Sequence, residues 1–164
     1  TIPSLTDAKN EQDDELESFV LEKVKQIEDN MDNVKISNAL AEIWNIISRS
    51  NKYIDETAPW ILAKSENVED KEKLQSVMYH LAENLRIVAI LLKPFMTETS
   101  EKMLKQLGIE KEELTTWDST KTYKYTKSTR CHNNKNPSCK KHLQQQFIKN
   151  TQVAYRKQKR KNNT

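Results

Sequence analysis

Four side chains that bind soft metals, Cys131, His132, Cys139 and His142, fall within twelve residues near the C-terminus. Structural zinc takes four such ligands in a tetrahedron, and its sites usually open with two cysteines two to four residues apart on a tight turn. Here seven residues separate Cys131 from Cys139, and His132 directly follows Cys131. That spacing does not build the turn, so no metal ligand is assigned. Nucleotide-triphosphate chemistry fares no better. Cradling phosphates takes a glycine-rich loop whose bare backbone amides can approach them, and the chain has a single Gly in 164 residues. No catalytic residue is assigned either.

What remains is non-covalent chemistry, and Trp117 is the side chain best suited to it. It follows the last apolar repeat in the polar stretch Thr115-Thr116-Trp117-Asp118, where an indole has little apolar company. An open indole is a stacking platform for a nucleobase, worth about 1–3 kcal/mol per base. Recognition of RNA sequence favours single-stranded loops whose bases are splayed out in this way. The alternative for Trp117 is a lid packed over the end of the fold. Trp60, in the apolar run 58–62, and Trp44, beside an apolar stripe, are expected in the core. His80 is expected as a satisfied histidine at the core boundary. Asp55 and Glu56 lie near Lys52 and Arg49 and are expected to hold a helix end.

The elements that must position these groups read as helices throughout. Gly is nearly absent and there are only four Pro, while good helix formers abound. Leu16, Phe19, Val20, Val24, Ile27 and Met31 recur at helical spacing, predicting a helix over about 13–31 with Asp13, Asp14 and Glu15 at its dipole-favoured start. A second helix starts near Val34, turns Ile36, Leu40, Ile43, Ile47 and Ile54 inward, and ends before Pro59, which lacks an amide hydrogen and pushes Ala58 out of helical geometry. Leu74, Val77, Met78, Leu81, Leu85, Val88 and Leu92 form a third stripe, capped by Asn67 and closed by Pro94. A fourth helix spans about 97–107, with Met103, Leu104 and Leu107 inward and Gly108 as its left-handed stop. Such helices on short connections predict an all-α antiparallel bundle of four to five helices.

Charge divides the chain sharply. All 24 acidic residues and 14 of the 27 Lys and Arg lie in 1–118, which leaves 13 basic groups and no acid in 119–164. The expected organisation is therefore a folded domain over 1–118 and a disordered basic tail over 119–164, since a one-sign block extends by self-repulsion or awaits a polyanion. The run Arg156-Lys157-Gln158-Lys159-Arg160-Lys161, with Tyr123, Tyr125 and Tyr155 upstream, suits phosphate contacts. No apolar run approaches the roughly 18 residues of a membrane span. Without a signal segment or a disulfide framework, the expected setting is cytoplasmic.

The block Asn51-Lys52-Tyr53-Ile54-Asp55-Glu56-Thr57-Ala58-Pro59-Trp60-Ile61-Leu62-Ala63-Lys64 resembles the anticodon-binding domain of bacterial methionyl-tRNA synthetases. The likeness extends through Ile2-Pro3, Asn38-Ala39-Leu40, Ile43-Trp44, Leu85-Arg86-Ile87, Leu92-Lys93-Pro94-Phe95-Met96, Gly108 and Thr115-Thr116-Trp117-Asp118, covering about 1–118. The resemblance implies binding of a tRNA methionine anticodon loop, with Trp117 matching the Trp that stacks on the first anticodon base, a cytosine. It also implies polar partners for that base on the second helix. Ser37 and Ala41 stand where family members carry an Asn and an Arg, so the nearby Asn38, Asn45 and Arg49 become the candidates, with plain exposed helix positions as their alternative.

The family's two catalytic signature sequences, the HIGH and KMSKS types, are absent. ATP and magnesium are accordingly implied for a full-length enzyme, with no cofactor for this chain. Because the chain starts at Thr1, it is expected to be the end of a longer polypeptide with its catalytic domain upstream. After Asp118 the family's Gly-containing acidic continuation gives way to Lys, Asn, Thr, Gln and Tyr, residues with adenine-rich codons. A reading-frame shift or a truncated gene near residue 119 would produce that change. Two other functions stay open: the anticodon domain of another class I synthetase, and a non-catalytic helical interaction module with a basic tether.

Overall fold

The computed structural model describes residues 11–109 and 111–123, all within one compact unit of the chain, Ile2–Thr129. Helix α1 (Glu11–Asp32) forms because Leu16, Val20, Val24 and Ile27 fall on one face, where all four are buried. The turn to helix α2 (Ile36–Thr57) passes through Val34 at φ 57°. Left-handed geometry costs an L-residue roughly 1–2 kcal/mol, and hydrogen bonds from Val34 N to Met31 O and from Lys35 N to Asn30 O hold the turn in place. Helix α2 buries Ala39, Ile43, Ile46 and Tyr53 against α1.

Pro59 stops α2 as its chemistry requires. Ala58 takes a left-handed conformation, φ 41° and ψ 58°, and the chain restarts as the single turn α3 (Pro59–Leu62) with Pro59 at its first position. Helix α4 (Val68–Leu92) is capped by Asn67, whose side chain accepts from Glu69 N at 3.3 Å. Helix α5 (Thr97–Leu107) ends at Gly108, φ 70°. Two 3-10 turns follow, Glu112–Leu114 and Asp118–Lys121. The pairs α1–α2 and α4–α5 pack as hairpins, and α4 also touches α2, α3, α1 and the 118–121 turn. The described residues form the expected all-α antiparallel bundle and contain no strand.

From Ser76 onward α4 is buried on nearly every side, which differs from the single stripe expected of it. Its polar side chains are therefore sealed in, and Ser76, Asn84 and Arg86 meet partners from other elements. Asp13, expected at the dipole-favoured start of the first helix, is fully buried. It accepts hydrogen bonds from Tyr53 Oη at 2.5 Å and Ser76 Oγ at 2.6 Å, which joins α1, α2 and α4 at one carboxylate. His80, expected as a satisfied histidine at the core boundary, is also fully buried, with Nδ1 2.8 Å from Ser76 O and 3.9 Å from Asp13 Oδ2, and its Nε2 has no hydrogen-bond partner among the described residues. Asn84 donates to Ser50 Oγ on α2 and accepts from Tyr123 Oη at 2.7 Å. Tyr123 Oη also reaches His80 O at 3.0 Å.

Packing thus continues past residue 118. Thr120 and Tyr123 are buried, and Lys121 pairs with Glu28 on α1 at 2.7 Å. The tail beyond, with Cys131, His132, Cys139, His142 and the 156–161 run, lies outside the described residues.

Three of the residues expected inward are not in the core. Trp44 is 48% exposed and Trp60 37% exposed, and Ile36, expected inward, faces solvent as well. The reason is angular. Ala39, Ile43, Ile46 and Tyr53 define the buried line of α2, and Trp44 sits one residue, about 100°, off Ile43. Trp60 is likewise one step from the buried Pro59, and neighbours at i and i+1 on a helical turn do not share a face.

Two outcomes follow from the buried network. Asp13→Ala leaves the Tyr53 and Ser76 hydroxyls without their acceptor and should lower stability by about 3 kcal/mol, read from the denaturant midpoint. Burial, then the bond to Asp13, pushes the Tyr53 phenol above its usual range, and burial with the nearby Glu83 charge does the same to Tyr123. Above the unfolded tyrosine value of about 10, the native state retains protons that the unfolded chain releases, so stability should fall as pH rises. Absorbance titration should show at least two tyrosines, Tyr53 and Tyr123, ionising only as the protein unfolds.

Candidate nucleic-acid interface

Trp60 presents the most firmly mounted open indole among the described residues. Pro59 is buried and fixes the chain direction, Ala58 is locked left-handed by its bond to Ile54 O, and Ile61 N and Ala63 N close the turn onto Ala58 O and Pro59 O. Thr57 Oγ1 bonds Tyr53 O at 2.7 Å, tying the end of α2 to the residue that grips Asp13. The indole, with the exposed Ile61 beside it, projects from a backbone with little freedom to move. Such a surface offers an apolar plane to a flat ring and loses little entropy when it is covered.

Trp117 is half-buried, so the structure leaves it neither sealed nor fully open. Its carbonyl accepts from Thr120 N at 2.9 Å and Thr120 Oγ1 at 2.6 Å. The loop around it is anchored from inside by Arg86, a residue that sequence reasoning passed over. The Arg86 guanidinium is fully buried, and all five of its N–H donors are used. Nε and Nη2 grip the Glu83 carboxylate at 3.1 and 2.5 Å, Nη1 reaches Leu114 O at 3.0 Å and Ser119 Oγ at 2.8 Å, and Nη2 reaches Ser119 O at 2.9 Å. The signal for it was an acid and a base three residues apart, Glu83 and Arg86, inside an apolar helix.

Asn38, Asn45 and Arg49 lie on one stripe of α2, spaced seven and four residues apart, along the edge that faces α1. Asn38 lines an open groove of about 450 Å³ with Gln26, Asp29, Asn30, Ala41 and Glu42. Asn45 Nδ2 donates to Glu42 Oε2 at 3.0 Å, and Glu42 is held by Lys23 at 2.7 Å. The Lys23 bond, then the Asn45 bond, keeps the Glu42 carboxyl below its usual range. Arg49 spans Glu15 on α1 at 3.2 Å and Glu56 at 3.1 Å, with a side chain only 10% exposed. An RNA contact from Arg49 would have to displace those partners. The groove's carboxylates repel phosphate, and its amides suit a base edge.

A family model described as the anticodon-binding domain of methionyl-tRNA ligase matches residues 2–152. The chain belongs to that family. Among relatives, the methionine-tRNA ligase of Bacillus subtilis (strain 168) is 53% identical over 129 residues, 79% of this chain and 19% of that protein. The Clostridium tetani (strain Massachusetts / E88) ligase is 46% identical over 121 residues, 74% of this chain and 18% of its own length. The chain therefore spans about a fifth of these ligases. Among solved structures, the methionyl-tRNA synthetase of Mycobacterium tuberculosis bound by methionyl-adenylate superposes with a TM-score of 0.68 at 26% identity, over 73% of this chain and 23% of that one. The family match runs past residue 118, where the resemblance read from the sequence stopped.

No metal-binding cluster of His, Cys, Asp and Glu occurs among the described residues, and none of their helices is long and apolar enough to cross a membrane. Single-tryptophan variants should rank in acrylamide quenching as Trp44, then Trp60, then Trp117. A different order would mean that the indoles are mounted otherwise in solution.

Proposed function

We propose that this domain binds the anticodon loop of a methionine tRNA and does no bond-making itself, serving a ligase whose catalytic domain lies elsewhere in a longer cytoplasmic protein. ATP and magnesium would act in that other domain. Trp60 is the principal stacking surface, and the observation that carries this reading is its open indole on a turn fixed by Ala58 and Pro59. Trp117, half-buried on an anchored loop, is a second aromatic contact. Asn38 and Asn45 are candidate readers of a base edge. Arg49 supports the end of α2 and contacts RNA only by releasing Glu15 or Glu56.

Recognition through the bundle would lean on stacking more than on charge. Acids outnumber bases 24 to 14 over residues 1–118, so few counterions would be released from RNA there, and the salt dependence should be shallow. Any steep salt dependence would come from the basic residues after 118. A helical interaction module that binds another protein is the competing reading, and it predicts no RNA binding.

The test is titration of a methionine-type anticodon stem-loop RNA with the full chain and its variants. Trp60→Ala should weaken binding by about 1–3 kcal/mol with the helical circular dichroism signal unchanged, and Trp117→Ala should weaken it less. Loss confined to Trp117→Ala would move the principal platform there. No measurable binding by the unaltered chain, even at low salt, would sink the RNA reading.

A further inference from the structure

The proposed function uses the Trp117 loop but leaves its anchor unassigned. Arg86 extends from the middle of α4, is fully buried, and spends every donor it has on only two targets, the Glu83 carboxylate and the 114–119 loop. Burying a guanidinium and a carboxylate is expensive, and well-packed apolar residues would often stabilise a core as well or better. The arrangement therefore calls for an explanation beyond stability. What the pair achieves that an apolar pair would not is directional: the planar fork fixes two backbone carbonyls, Leu114 O and Ser119 O, that bracket Trp117. Ser119 extends the chain of bonds, since its Oγ donates to Thr116 O at 2.6 Å while accepting from Arg86. The residues on both sides of the indole are thus tied, directly or through one hydroxyl, to a single buried cation.

We propose that Arg86 is a positioning residue for RNA binding: oriented by Glu83, it holds the 114–119 loop so that Trp117 meets a nucleobase in a fixed pose. This rests on the RNA reading above. Lysine is the informative replacement, because a compact ammonium can stay paired with Glu83 but cannot span both carbonyls.

The experiment takes the full chain and measures two things in Arg86→Lys. Hydrogen exchange at the Ser119 and Thr120 amides, bonded to Thr116 O and Trp117 O within the loop, should accelerate roughly tenfold or more, while α1 and α2 amides keep their protection. Affinity for the methionine-type anticodon stem-loop should fall several-fold, and adding Trp117→Ala should cost nothing further, because the indole has already lost its pose. Should Arg86→Lys fail to fold, Ser119→Ala removes one guanidinium bond together with the Oγ bond to Thr116 O and leaves the ion pair intact, with the same effects expected at smaller size. Unchanged loop exchange would overturn the positioning role. Accelerated exchange with full RNA affinity would show that the clamp exists but that Trp117 does not touch RNA, overturning the RNA reading for this loop alone.

Discussion

A helix buried on nearly every side carries polar side chains at least cost where its neighbours supply partners, and α4 is such a helix from Ser76 to Leu92. Ser76 shares the Asp13 carboxylate with Tyr53, Asn84 bridges Ser50 and Tyr123, Arg86 grips the C-terminal loop, and Ala89 O accepts from Ser100 Oγ on α5 at 2.6 Å. One helix thus makes polar contact with α1, α2, α5 and the terminal segment. Losing any one partner strands a buried polar group, which costs more than the bond itself was worth. The network fixes the bundle's registry while apolar packing supplies most of its free energy.

This architecture separates two electrostatic environments. Inside, charges are few and matched, as with Arg86 and Glu83. Outside, carboxylates predominate along α1 and the facing edge of α2, where Lys23 and Arg49 are occupied by Glu42, Glu15 and Glu56. A polyanion gains little by approaching that edge. On that edge the features left for a nucleic acid are amides, which is why the role proposed for it is base recognition and not phosphate binding.

The fold was legible in the sequence because apolar spacing alone decides which helices can bury a face, and the ends of α5 and the Asn67 and Gly108 caps were readable from local chemistry. Less was legible where burial depends on neighbours. Asp13 looks like any acidic helix start, and only the arrival of Tyr53, forty residues on, and Ser76, sixty-three residues on, makes it a core group. The tryptophans show the opposite failure. An apolar neighbourhood suggested that Trp44 and Trp60 were buried, yet a step of one residue from Ile43 or Pro59 turns each indole outward. Counting angle from the buried line, and not proximity in sequence, would have found both.

The two indoles proposed to meet RNA are mounted by unlike devices on the same support. Trp60 depends on a proline turn, α3, that packs against α4, and Trp117 on a loop clamped by Arg86 of α4 and on the 118–121 turn, which rests on α4 and α1. Neither mount involves a flexible glycine linker; the only glycine of the chain is spent ending α5. The separation between the two aromatic surfaces is then as fixed as the interior of α4. A ligand that must touch both pays little ordering entropy on the protein side, and one with the wrong spacing of bases recovers little of the lost stack by moving the protein. Under that proposal, discrimination would come from the stiffness of the support as much as from the groups that touch the RNA.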